Sequence, residues 1–130
     1  MARGLVGDDF EIFVPEAIVS IGEVIPVARY AIPGAKEHDE IVVEALSKCD
    51  VFMMAGNGVL FVGKDVKGAY LRMGLLEHLL KIDYYAKSMG TMMAIPEADK
   101  QKLLDKRAAI GLGPKKVNFP SAAAPPKQED

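Results

Sequence analysis

The stretch from Val66 to Met89 constrains this chain more than any other part of it. Asp65 stands where an N-cap belongs and Gly90 where a helix commonly ends, and the residues between them repeat apolar side chains at three- and four-residue steps. The pattern predicts one helix about 35 Å long. One apolar stripe runs through Val66, Ala69, Tyr70, Met73, Leu76, Leu80 and Tyr84, and a second through Leu71, Leu75, His78, Ile82 and Tyr85. Only Lys67, Glu77, Lys81, Lys87 and Ser88 form a plainly polar strip. A helix apolar over most of its circumference is normally covered by more than one neighbour. The expectation is a sheet on one side and another helix or subunit on the other.

The remaining elements are arranged around that helix. Glu37 to Lys48 predicts a shorter helix, with His38, Ile41, Val42, Ala45, Leu46 and Cys49 on one face. Val51 to Met54 is a continuous apolar run, the mark of a strand buried on both faces, and Val59 to Val62 resumes it after Ala55-Gly56-Asn57-Gly58. Asn-Gly is a strong hairpin signal, so the two runs are expected to pair. Earlier in the chain, the β-branched residues of Pro15 to Ala28 suggest two short strands, Ala17 to Ile21 and Val24 to Val27, turning at Gly22-Glu23. Pro26 marks the second as an edge or irregular strand. Tyr30 to Gly34 is a loop, and Pro96 opens a last helix that runs to about Ile110. The order β–β–α–β–β–α–α indicates an α/β fold: a layered mixed sheet with flanking helices. Residues 1–13 read as a lead-in, 14–111 as the domain, and 112–130, rich in Pro, Ala and Lys, as a flexible tail.

Composition narrows the function. With 16 basic and 18 acidic residues and a formal net charge of −2, the chain has no positive field to hold nucleic acid or an anionic membrane. Its apolar runs fall short of the ~20 residues that cross a bilayer, and Met1 to Phe10 does not read as a signal peptide. A single cysteine excludes an intrachain disulfide and a zinc ribbon, and suits a cytoplasmic setting.

Three segments carry a family resemblance. Pro15 to Gly34 is similar to a family stretch that ends Pro-Tyr-x-x-x-Gly, with Arg29 where the proline is usual. Asn57-Gly-Val-Leu-Phe-Val-Gly-Lys-Asp65 is similar to a His-Gly-Val-x-x-x-Gly-x-Asp turn. The third is the long helix that follows, with Ala69 and Leu76-Glu77 in familiar places. In order and spacing, residues 14–110 resemble the C-terminal half of the class II aldolase/adducin family, which includes fuculose- and rhamnulose-phosphate aldolases and ribulose-phosphate epimerases. The resemblance implies a carbon–carbon lyase or epimerase that acts on a sugar phosphate. It also implies zinc or another divalent metal held by three histidines, and a carboxylate acid/base. Two of those histidines form a His-x-His pair in the other half of the fold. The third sits in the turn, where this chain has Asn57. The resemblance therefore implies a degenerate metal site, with no catalytic or metal-binding residue supplied by this chain alone. The chain would then be one half of a split aldolase, or a silent binding module like the adducin head. A homo-oligomer or a complementary N-terminal-half chain would be its partner.

The candidates for a remnant pocket are Gly56, Asn57, Gly58 and Tyr30. Each also has a structural reading. Asn before Gly tolerates positive φ, which alone would explain Asn57. His78, with Gly74 one turn earlier giving it room, is expected to pack in the core or an interface, and His38 to lie near the surface. Cys49 reads as a packed thiol, since no His or Asp accompanies it.

Overall fold

A computed structural model describes residues 7–113. Most of the tail, residues 114–130, lies outside the described residues. The elements are β1 (Phe10–Glu11), α1 (Pro15–Ile21), β2 (Val24–Ile25), β3 (Val27–Ala28), α2 (Lys36–Lys48), β4 (Val51–Met54), β5 (Gly58–Phe61), α3 (Val66–Met89) and α4 (Glu97–Ala109). The fold is mixed α/β, as the sequence indicates. The long helix has the bounds that the pattern predicts, and Asp65 caps it, its Oδ1 accepting from the Gly68 N–H at 2.7 Å.

The clearest correction concerns Ala17 to Ile21. They form a helix, α1, and not a strand. Pro15 supplies a pre-set φ in the first turn, Glu16 favours the positive end of the helix, and Ala17, Ile18 and Ile21 fall together on one buried face. The β-branched content suggested a strand, but this burial overrides propensity. Gly22 ends α1 at φ +98°, a conformation that side-chain-bearing residues rarely adopt, and its N–H returns to the Ile18 carbonyl.

Pro26 divides the next extended stretch between two sheets. Before it, β2 pairs antiparallel with β1, placing Ile25 opposite Phe10. After it, β3 runs parallel to β4, and β4 pairs antiparallel with β5, giving the order β3-β4-β5. The lead-in thus contains a strand that the sequence reading did not anticipate, and its Phe10 and Ile12 are buried in the core.

The core gathers Phe10, Ile12, Ile18, Ile21, Ile25, Val51, Met53, Leu76 and Leu79 between α1, the sheets and α3. Each such side chain contributes about 1.5–3 kcal/mol by leaving water. Phe52, of opposite parity on β4, shares a cavity with Ile41 and Ala45 of α2 on the other side. Strand β4 is therefore covered on both faces, as its unbroken apolar run predicts. Helix α3 behaves otherwise. It buries one line, Leu76, Leu79 and Asp83. Most of the predicted first stripe lies outside, with Val66 87%, Tyr70 70% and Tyr84 73% exposed. Among the described residues α3 is covered on one side only.

A charged clasp joins four elements. Asp50, just before β4, accepts from Arg72 of α3 at 2.7 Å and from Arg107 of α4 at 2.6 Å. Arg107 also donates to the Val19 and Ser20 carbonyls, and Arg72 to those of Ser20 and Val62. Together they cap the carbonyl end of α1 with positive charge, the favourable sign there. Burial lowers the Arg107 pKa, and the Asp50 carboxylate works against that shift.

Candidate functional site

The turn that carries the resemblance lies at one end of the three-stranded sheet, between β4 and β5. Ala55, Gly56 and Asn57 make the bend, and the Asn57 N–H closes it on the Met54 carbonyl at 3.0 Å. Gly56 takes the positive φ, +70°. Asn57 does not, because no non-glycine among the described residues has positive φ. The conformational explanation for Asn57 is thus overturned: Gly56 absorbs the left-handed geometry, and Gly58 is already the first residue of β5.

Tyr30 reaches the same place from the β3 side. The Ala55 N–H donates to the Ala28 carbonyl at 3.1 Å and draws the two segments together. A Cβ built on Gly56 would lie 3.7 Å from the Tyr30 ring, in ordinary contact. The structure therefore brings Tyr30, Gly56 and Asn57 to one exposed corner. Both Asn57 and Tyr30 are open to solvent. Arg29, beside Tyr30, pairs with Glu37 at the start of α2.

The other candidates lie elsewhere. His38 is on the first turn of α2, with Nδ1 3.7 Å from Asp39 and Nε2 buried without a hydrogen-bond partner. His78 is exposed on α3, and a Cβ on Gly74 would meet nothing within 4 Å, so the expected tuck against a neighbouring backbone does not occur among the described residues. Cys49 is half-buried at the end of α2, where its thiol donates to the Ala45 carbonyl at 3.2 Å. Burial raises its pKa, and nearby Asp50 adds to the effect despite an opposing hydrogen bond with the Val51 backbone. That is the environment of a packed thiol and not of an activated nucleophile.

The profile of the Class II Aldolase and Adducin N-terminal domain matches residues 5–84, more than half of the chain. The chain belongs to this family. No curated protein sequence matches it. Among solved structures it is similar to L-fuculose 1-phosphate aldolase, with 21% identity and a TM-score of 0.71 over 81% of this chain and 49% of that one. It is also similar to YgbL of Escherichia coli, provisionally assigned as an aldolase/epimerase/decarboxylase, with 21% identity and a TM-score of 0.63 over 72% of this chain and 44% of the other. At this identity the likeness establishes the fold. The chain spans about half the length of the solved structures that it matches.

The family commonly uses zinc, and the residues of the turn can be tested against that metal. Zinc prefers imidazole nitrogen, thiolate sulfur and carboxylate oxygen. The turn offers Asn57, whose neutral amide is a poor ligand for zinc, and two glycines. No group of three His, Cys, Asp or Glu residues comes together among the described residues. The donor set of this corner does not fit zinc. No helix among the described residues is long and apolar enough to cross a membrane.

Proposed function

We propose that this chain supplies part of a class II aldolase-type fold and has no lyase activity by itself, its metal site and acid/base group being furnished by polypeptide outside it. The observation that carries the reading is Asn57. It stands in the turn where the resemblance puts a ligand histidine, and its own backbone gives no conformational reason for an asparagine. The span supports the same reading, since about half of L-fuculose 1-phosphate aldolase has no counterpart in this chain. The completed assembly would act on a sugar phosphate, with Tyr30, Gly56 and Asn57 at one edge of its pocket.

Elemental analysis of the purified chain, with its native mass, tests this. The expected result is no stoichiometric zinc and no cleavage of L-fuculose 1-phosphate by the chain alone. One zinc per chain, or zinc-dependent cleavage, would overturn the proposal and make His38 and His78 the first residues to replace. If the chain is metal-free, Asn57→His should not by itself restore zinc binding, because one imidazole provides only one of the ligands that a zinc site needs.

A further inference from the structure

We infer that the polypeptide completing the fold joins this chain as an added strand along the free side of β5, beside the exposed start of α3. The inference rests on the reading that this chain is part of a larger fold, and adds where the rest attaches.

The three-stranded sheet has two outer strands, β3 and β5. The β3 side is closed to pairing. That strand has two residues, it follows Pro26, which has no N–H to give, and the Val27 N–H already donates to Asp9 Oδ1 at 2.9 Å. The β5 side is open. The Val62 N–H donates to the Asp50 carbonyl, and Leu60 pairs with Phe52, so the backbones of Gly58, Leu60 and Val62 face β4. The bonds of β4 to β3 agree, since Met53 and Ala55 make those. The N–H and C=O groups of Val59 and Phe61 therefore point away from β4, and no strand among the described residues pairs with them.

An edge that faces water is normally protected by charge, proline or a bulge. Gly58 to Phe61 has neither a charged residue nor a proline, and its register with β4 is continuous. The chain then leads into Val62, Val66 and Tyr70, all exposed. Backbone groups and apolar side chains together suit an extended segment that pairs by its main chain and buries side chains against α3. The occupant follows from the span: half of L-fuculose 1-phosphate aldolase is not represented here, and that half must continue the same fold.

The test uses the assembly recovered from cells that express this chain with a photo-crosslinking phenylalanine analogue in place of Val66, and separately in place of Met89 at the far end of α3. Crosslinked peptides are identified by mass spectrometry, and amide exchange at Val59 and Phe61 is compared between the assembly and the isolated chain. The expected result is a crosslink from position 66 to sequence that aligns with the unrepresented half of L-fuculose 1-phosphate aldolase. Exchange at Val59 and Phe61 should slow by about 100-fold or more on assembly. Val59→Pro removes an outward N–H and should abolish assembly while leaving the circular dichroism of the isolated chain unchanged. A crosslink from position 66 to a second copy of this chain overturns the occupant. Recovery of the complementary sequence crosslinked from position 89, with Val59 and Phe61 unprotected, overturns the placement on β5 and leaves the half-fold reading intact. Absence of any complementary sequence sinks that reading and this inference with it.

Discussion

Replacing Asp50 with alanine should destabilise the fold more than any other single change at a charged residue. The carboxylate serves two guanidinium groups, at 2.7 Å from Arg72 and 2.6 Å from Arg107, and the three side chains are only 13%, 11% and 7% exposed. In Asp50→Ala both cations stay in place with backbone carbonyls as their remaining hydrogen-bond partners and no carboxylate beside them. Stranding a buried charge costs about 3–5 kcal/mol. A domain of this size has roughly 5–15 kcal/mol of stability in total, so this is a large fraction of it. At about 4–8 °C per kcal/mol, the midpoint should fall by at least about 12 °C. Arg107→Met is the informative comparison. It removes one cation, keeps apolar volume, and leaves Asp50 paired one-to-one with Arg72. Its loss should be nearer 1–2 kcal/mol, chiefly the hydrogen bonds to the Val19 and Ser20 carbonyls. Urea unfolding of the three proteins, with linear extrapolation, measures both differences. A loss below about 1 kcal/mol for Asp50→Ala, or a larger loss for Arg107→Met than for Asp50→Ala, would refute the account of the clasp as a charge-balanced centre.

Two further outcomes follow from the geometry. Gly63→Ala places a methyl group 2.9 Å from the Ala69 backbone nitrogen and 3.1 Å from the Asp65 carbonyl oxygen, both main-chain atoms in or beside the first turn of α3. That turn must shift, at a cost of about 1–3 kcal/mol, and equilibrium unfolding unchanged by the substitution would count against the packing described. Cys49 has a folded pKa raised by burial, so above the ordinary thiol range the unfolded chain loses its proton first. Stability should therefore decline as pH rises through about 8.5 and beyond, the decline should be smaller in Cys49→Ala, and alkylation of the native thiol at pH 8 should be slower than in the urea-unfolded chain.

The long helices were legible because their signals are local. Asp65, the three- and four-residue apolar steps and Gly90 fix α3 without reference to the rest of the molecule, and the acidic start and Cys49 do nearly the same for α2. Helix α1 was misread because its β-branched residues favour a strand by propensity. Burial of Ala17, Ile18 and Ile21 against α3 and α4 is a tertiary fact. The clasp left no sequence signal, since Asp50 meets partners 22 and 57 residues away. At the candidate site, the resemblance pointed to the turn, and the structure brings Tyr30 beside it. Which residue takes the positive φ depends on a three-residue bend that an Asn-Gly pair does not specify, so Gly56 and not Asn57 carries it. The exposure of His78 was also hidden, because a helix apolar all round does not say which side meets its own chain.

That last ambiguity bears on function. Helix α2 resolves it in the ordinary way: Ile41 faces the sheet, while Lys36, Glu40, Glu44 and Lys48 form ion pairs on the solvent side. Helix α3 carries the pairs Glu77–Lys81 and Asp83–Lys87, and also presents Val66, Tyr70 and Leu71 near one end and Tyr84, Tyr85 and Met89 near the other. Large contiguous apolar surface is uncommon on a protein that works as a monomer, and scattered single residues would not need explanation. Here the exposed residues follow one helix and meet, at its N-terminal end, a strand whose outer edge pairs with no strand among the described residues and whose residues carry no charge. Two unrelated kinds of binding capacity, main-chain hydrogen bonds and apolar area, thus lie along one continuous stretch of chain from Gly58 to Met89. A self-sufficient surface would have blunted at least one of them, as α2 and β3 do. Their coincidence accords with the proposal that this chain is part of a larger fold.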